Sequence, residues 1–211
     1  MSRTRWRQVI RSVAGVWLGV LAMATQVCAD GGLVTGTDED AKLPFWEWQS
    51  EAMSIRLVQR LPDQSRAYFM ARGFDKTHAE RIATSCVFQT VYKNTATAGT
   101  AHVIEFNLNQ WKVQFAGQSR SLKLREHWQQ EWEKEKVAQG AQIAFQWSLL
   151  PTQQRYQPQD YNWGMTVFDL PPATKFDLLI VWKHNGREQS ATIPQIECAP
   201  DVHPDPTEFP G

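Results

Sequence analysis

Cysteines, histidines and an unusual number of tryptophans are the side chains of this 211-residue chain with scope for chemistry. Cys86 and Cys198 stand 112 positions apart. A redox couple or thiolate metal site needs a C-x-x-C pair or a neighbouring cluster, and neither is present, so an oxidised structural bridge is the expectation. Of the five histidines, His127 and Glu131 lie four apart in a helical pattern, a spacing that can share a metal, but one that equally describes a solvated helix face. Met53, Met70 and Met165 are soft ligands that suit copper, as imidazole does, yet no M-x-x-M or H-x-M cluster gathers them, and methionine also fills cores. G-x-S-x-G, H-E-x-x-H, the P-loop and C-x-x-C-H are all absent, so no local motif supports catalysis.

Aromatic residues give a more specific lead. Trp111, Trp147, Trp182, Trp128 and Trp132 fall at strand or helix spacings that assign them to a core. Trp46, Trp48, Tyr161 and Trp163 instead stand in or beside stretches rich in Asp, Asn and Gln. Indole and phenol rings with amide neighbours stack on sugars or anchor a protein partner at low entropic cost. Trp46, Trp48, Tyr156, Tyr161, Asn162 and Trp163 are therefore the candidate binding residues, the alternative being an aromatic plug at one end of the fold. No metal ligand set and no cofactor is assigned.

Location follows from the first 29 residues. Arg3, Arg5, Arg7 and Arg11 precede an apolar run from Val13 to Ala24, and Val27-Cys28-Ala29 places small residues where signal peptidase cuts, so cleavage before Asp30 is expected. The run is shorter than the roughly 20 residues that span a bilayer. Thr25-Gln26-Val27 is not a lipobox before Cys28, and no twin-arginine pair is present. The full chain is neutral, with 22 basic and 22 acidic side chains; removal of the leader leaves 18 against 22, a net of −4, which offers nothing to nucleic acid. Export to an oxidising periplasm also favours the disulfide.

These residues need elements to position them. Residues 30–44 read as a flexible arm and 199–211, with four prolines, as a disordered tail, leaving a single domain over 45–198. Met53, Ile55 and Leu57 alternate as a strand. The stretches 63–72 and 77–92 read as a helical hairpin, the second opened by the capping box Thr77-x-x-Glu80 and carrying Cys86 on its inward stripe, although β-branched residues over 84–91 leave a strand possible. Residues 103–115 alternate as a β-hairpin, 121–137 form a third helix, Ile143, Phe145 and Trp147 begin a strand, and 151–164 make a polar loop. Around Asn185-Gly186 a two-residue turn pairs Ile180 with Ala191 and Leu178 with Ile193.

The sum is an α+β domain: an antiparallel β-sandwich with a helical hairpin and a third helix beside it. Strands over 165–169, 176–183 and 187–194 have a rhythm that resembles immunoglobulin-like sandwiches, which implies nothing about activity. The expected function is that of an exported periplasmic binding or accessory protein without chemistry of its own, recognising a protein partner through an aromatic loop surface. A copper-handling protein and a carbohydrate- or envelope-binding module are the alternatives.

Overall fold

The computed structural model describes residues 27–28 and 31–202. The leader expected over 1–29 therefore lies outside the described residues except for Val27 and Cys28, as does most of the expected tail. In chain order the first elements are β1 (Val27–Cys28), β2 (Gly31–Thr37), β3 (Pro44–Ser50), β4 (Met53–Gln59), α1 (Pro62–Met70), α2 (Lys76–Ala83) and β5 (Val87–Asn94). Then come β6 (Ile104–Asn107), β7 (Lys112–Phe115), β8 (Gln118–Ser121), α3 (Arg125–Lys134), α4 (Gln139–Ser148), β9 (Gln153–Tyr156), β10 (Tyr161–Val167), β11 (Lys175–His184) and β12 (Arg187–Glu197). The protein is α+β, with two mostly antiparallel sheets.

The β11–β12 hairpin anchors the first sheet. Asn185, at φ 51°, and Gly186, at φ 78°, supply the left-handed pair that a tight primed turn requires. Ile180 pairs with Ala191 and Leu178 with Ile193, the register that the apolar alternation dictates. Residues 103–115 depart from expectation. β6 and β7 do not pair with each other; both run antiparallel along β11, β6 beside Trp182–His184 and β7 beside Asp177–Leu179. They are one strand broken by a 3-10 turn over Leu108–Gln110. At the break the Trp111 indole donates to the Val181 carbonyl at 3.0 Å, doing what a ladder amide does elsewhere.

The second sheet runs β10-β5-β4-β3-β2. Residues 31–37, expected as part of a mobile arm, are its edge strand, because Gly31 to Thr37 pairs along the whole of β3. β10 takes up part of the expected 151–164 loop, and β9 another part. The expected helix over 77–92 ends at Ala83. Its start is capped by Asp75, whose carboxylate accepts from the His78 amide at 2.9 Å, rather than by Thr77. Past Ala83 the chain turns at Cys86, φ 56°, and the β-branched run becomes β5. The third helix is confined to Arg125–Lys134, and Ile143, Phe145 and Trp147 belong to α4 rather than to a strand.

Packing forms three layers. One core draws on both sheets, with Ile55, Phe88 and Tyr92 from the second meeting Phe106, Leu178 and Trp182 from the first. A separate core lies on the outer face of the second sheet, where Val87, Met165 and Val167 meet Phe69, Phe74, Trp128, Trp132 and Phe145 of the helical layer. Gly164 is needed at the join: a Cβ there would lie 2.7 Å from the Leu150 backbone nitrogen. Cys86 and Cys198 are bonded, with Cα atoms 5.1 Å apart, and both are buried. The domain extends slightly past 198, since Ala199 is buried and Asp201 pairs with Arg66 at 2.7 Å.

The oxidised protein should have an intact mass two hydrogens below its reduced form. Closing a loop of this length stabilises by at most about 4–5 kcal/mol in the chain-entropy model, so reduction should lower Tm by on the order of 10 °C. Two titratable thiols in the folded protein, or an unchanged Tm with reductant, would contradict the bridge.

Candidate functional site

In an antiparallel sheet, residues directly opposite one another share a face. Trp163 pairs with Val91, Val91 with Arg56, Arg56 with Glu47 and Glu47 with Val34, so these five side chains form a row across the outer face of the second sheet. Tyr161, Lys93, Ser54 and Gln49 form the next row. The helices pack their apolar side chains on this face at its Val87, Met165 and Val167 end. Trp163 is 67% exposed and Tyr161 61%.

Beside the Trp163 row lies a cleft of about 560 Å³. Val58, Gln89 and Val91 form its floor, Asp38, Asp40 and Ala41 of the β2–β3 turn one wall, and Arg60 and Gln64 at the start of α1 the other. Arg56 is fully engaged: it donates to Asp38 at 2.9 Å and Glu47 at 2.8 Å and lies 3.5 Å over the Phe45 ring. Asp38 also accepts the Asp40 and Ala41 amides, closing its turn. The Ala41 amide, with the Arg56 guanidinium, holds the Asp38 carboxyl below the usual carboxylate range. The opposite wall, Arg60 and Gln64, differs in having no ion pair among the described residues. Arg60 and Arg72 both lie over the Tyr68 ring, at 5.0 and 3.3 Å. Burial, with Arg72 adding repulsion, lowers the Arg60 guanidinium from its ordinary value.

The six sequence-predicted residues divide by strand parity. Tyr161 and Trp163 face outward, and the half-buried Asn162 between them points to the other face. Trp46 is buried between the sheets, donating its indole N–H to the Gln195 carbonyl at 3.1 Å. Trp48 shares that inner face, half-buried against the core. Tyr156 is a correction: it is buried and stacks on Tyr92 at 5.3 Å, because β9 turns it into the core between the sheets. Burial raises its hydroxyl above the ordinary phenol range. The expected aromatic loop surface is thus a strand face holding two of the six.

Trp147 is corrected in the opposite sense. Expected in the core, it is 87% exposed on α4, four residues from half-exposed Ile143, while Ala141, Phe145 and Ser148 form the buried stripe. The glutamines in its groove satisfy one another, Gln129 donating to Gln142 at 2.7 Å and Gln146 to Gln129 at 3.2 Å. Sequence reasoning also missed Arg56 and Arg60. A signal for the second existed in the four-residue step Arg60, Gln64, Tyr68, Arg72 across α1.

Residues weighed for copper are dispersed. Met53 is buried between the sheets, and Met165 lies in the helical core. Glu131 is taken by Lys123 at 2.8 Å, and the His127 ring accepts from the Leu124 amide at 3.3 Å. His102 Nδ1 and His184 Nε2 are 2.7 Å apart with ring centroids at 5.0 Å, so the two nitrogens face each other and share a hydrogen. An imidazole-bound metal needs about 2.0 Å to each nitrogen. Among the described residues no three of His, Cys, Asp and Glu gather as a metal site requires.

The histidine pair makes stability depend on pH. Burial, together with His102, lowers the His184 pKa, against a weaker opposing pull from Glu51. The unfolded chain thus binds a proton on His184 more readily than the folded one. The pair's contribution is complete above the unfolded value near 6.5 and is lost as pH falls through the lower folded value. Tm should fall from pH 7 to pH 5 more steeply in the wild type than in His184→Gln; equal slopes would contradict this.

Compared with known proteins, the chain matches no family model, no curated protein and no solved structure.

Proposed function

We propose that this protein is exported through its leader, oxidised in the periplasm, and works there without catalysis, binding a protein partner on the open part of the outer face of its second sheet. The leader's basic and apolar segments and the small residues before Asp30 support export. A buried disulfide is compatible with an oxidising compartment. The immunoglobulin-like rhythm of the last strands is a likeness of spacing and adds nothing to the functional reading.

One observation carries the binding assignment. Tyr161 and Trp163 stand on the same side of β10 with most of their surface in water, and Trp163 is the cross-strand neighbour of Val91 in a cleft floored by Val58, Gln89 and Val91, with Asp38 and Asp40 on one wall and Arg60 on the other. A solvent-facing indole contributes little to folding, whereas Trp and Tyr dominate the energetics of protein interfaces. Around them the face is polar, and its Arg56 is already paired, which suits the rim of an interface.

The test is affinity capture from the exported fraction with the oxidised protein beginning at Asp30, in wild-type, Trp163→Ala and Tyr161→Ala forms. The wild type should enrich one protein stoichiometrically, and Trp163→Ala should weaken its binding by at least about tenfold with Tm unchanged, as a hot-spot truncation does. A wild type that enriches no protein, or a variant that binds as tightly, would contradict the assignment.

A further inference from the structure

The neighbouring arginines are saturated: Arg56 holds Asp38 and Glu47, and Arg66 holds Asp63, Glu80 and Asp201. Arg60 is different. Among the described residues its buried Nε has no hydrogen-bond partner, and the one hydrogen bond of its side chain, from Nη2 to the Gln64 carbonyl, is long at 3.4 Å. Among the described residues it makes no ion pair, and its nearest charged companion over the Tyr68 ring is a second cation, Arg72. A guanidinium stripped of part of its water and placed near a like charge is unfavourable unless an anion meets it.

We propose that Arg60 receives a carboxylate of the bound partner in the cleft floored by Val58 and Val91. This deepens the binding assignment above and rests on it, since Val91 is the cross-strand neighbour of Trp163. The planar guanidinium fork matches a carboxylate, and Arg72 adds positive field from beyond the cleft. A monoanion is favoured over a phosphate or sulfate dianion, because Asp38 and Asp40 form the facing wall and repel the second charge.

The probe is acetate, added to the folded, oxidised, 15N-labelled protein while the arginine Nε–Hε resonances are followed by NMR. The Arg60 signal, assigned by its absence in Arg60→Gln, should move saturably with half-saturation in the millimolar range. Sodium chloride of equal ionic strength should leave it in place, and sulfate should bind about tenfold more weakly. No saturable shift, an equal response to chloride, or sulfate binding tighter than acetate would overturn the proposal. Arg60→Gln should melt no lower than the wild type; a lower Tm would make Arg60 a structural residue and also overturn it. Trp163→Ala should keep the acetate response, so a failure of this proposal is separable from a failure of partner capture.

Discussion

The bond between Cys86 and Cys198 is the constraint on which the arrangement of layers depends. Cys86 stands where α2 gives way to β5 in the middle sheet, and Cys198 follows β12 in the outer one. Hydrogen bonds gather around it: Cys86 O accepts from the Phe168 amide, the Cys198 amide donates to Thr174, and Gln59 reaches the Glu197 carbonyl at 2.6 Å. The ends of β4, β10 and β12 therefore converge on one covalent point. Packing between two sheets is non-directional and tolerates sliding; a covalent tie at one end removes that freedom. Cys86 also immediately precedes β5, an inner strand of the second sheet that carries Val87 beneath the helices and Val91 on the open face.

From this follows the division of the outer face. The helical layer buries its aromatic cluster against the Val87, Met165 and Val167 end of the second sheet. Beyond that edge the sheet solves its exposure with polar rows, Lys93-Ser54-Gln49 and Arg56-Glu47, which need no cover. Trp163 and Tyr161 break that rule, and Arg60 breaks the complementary rule that a partly buried cation is paired. Departures of both kinds fall beside one cleft, which favours it as the proposed binding site over Trp147, whose polar neighbours are mutually satisfied.

What the sequence reveals divides by range. The β11–β12 hairpin is legible because its turn and its apolar alternation are local and agree; the cysteine pair is legible because the chain has three cysteines and the third, Cys28, falls in the stretch expected as a leader. The 103–115 stretch misleads because its alternation is real, yet both halves take β11, far along the chain, as partner. Ile143, Phe145 and Trp147 mimic a strand while Gln139, Ala141, Gln142 and Ala144 favour the helix that forms. β2 and β9, exposed strands with few apolar residues, carry no period to read. At the site, Tyr161 and Trp163 are identifiable as unusual, but their separation from Trp46 and Tyr156 depends on strand parity that only the pairing of β10 with β5, β3 with β4 and β9 with β6 defines.

The central claim is that one aromatic pair faces water while Trp46, Trp111 and Tyr156 are sealed between the sheets. Hydroxyl-radical labelling of the oxidised protein, read residue by residue by mass spectrometry, tests it most directly. Trp163 and Tyr161 should be oxidised rapidly, and Trp46, Trp111 and Tyr156 only after unfolding; Tyr156 labelled as fast as Tyr161, or Trp163 protected in the free protein, would contradict the account.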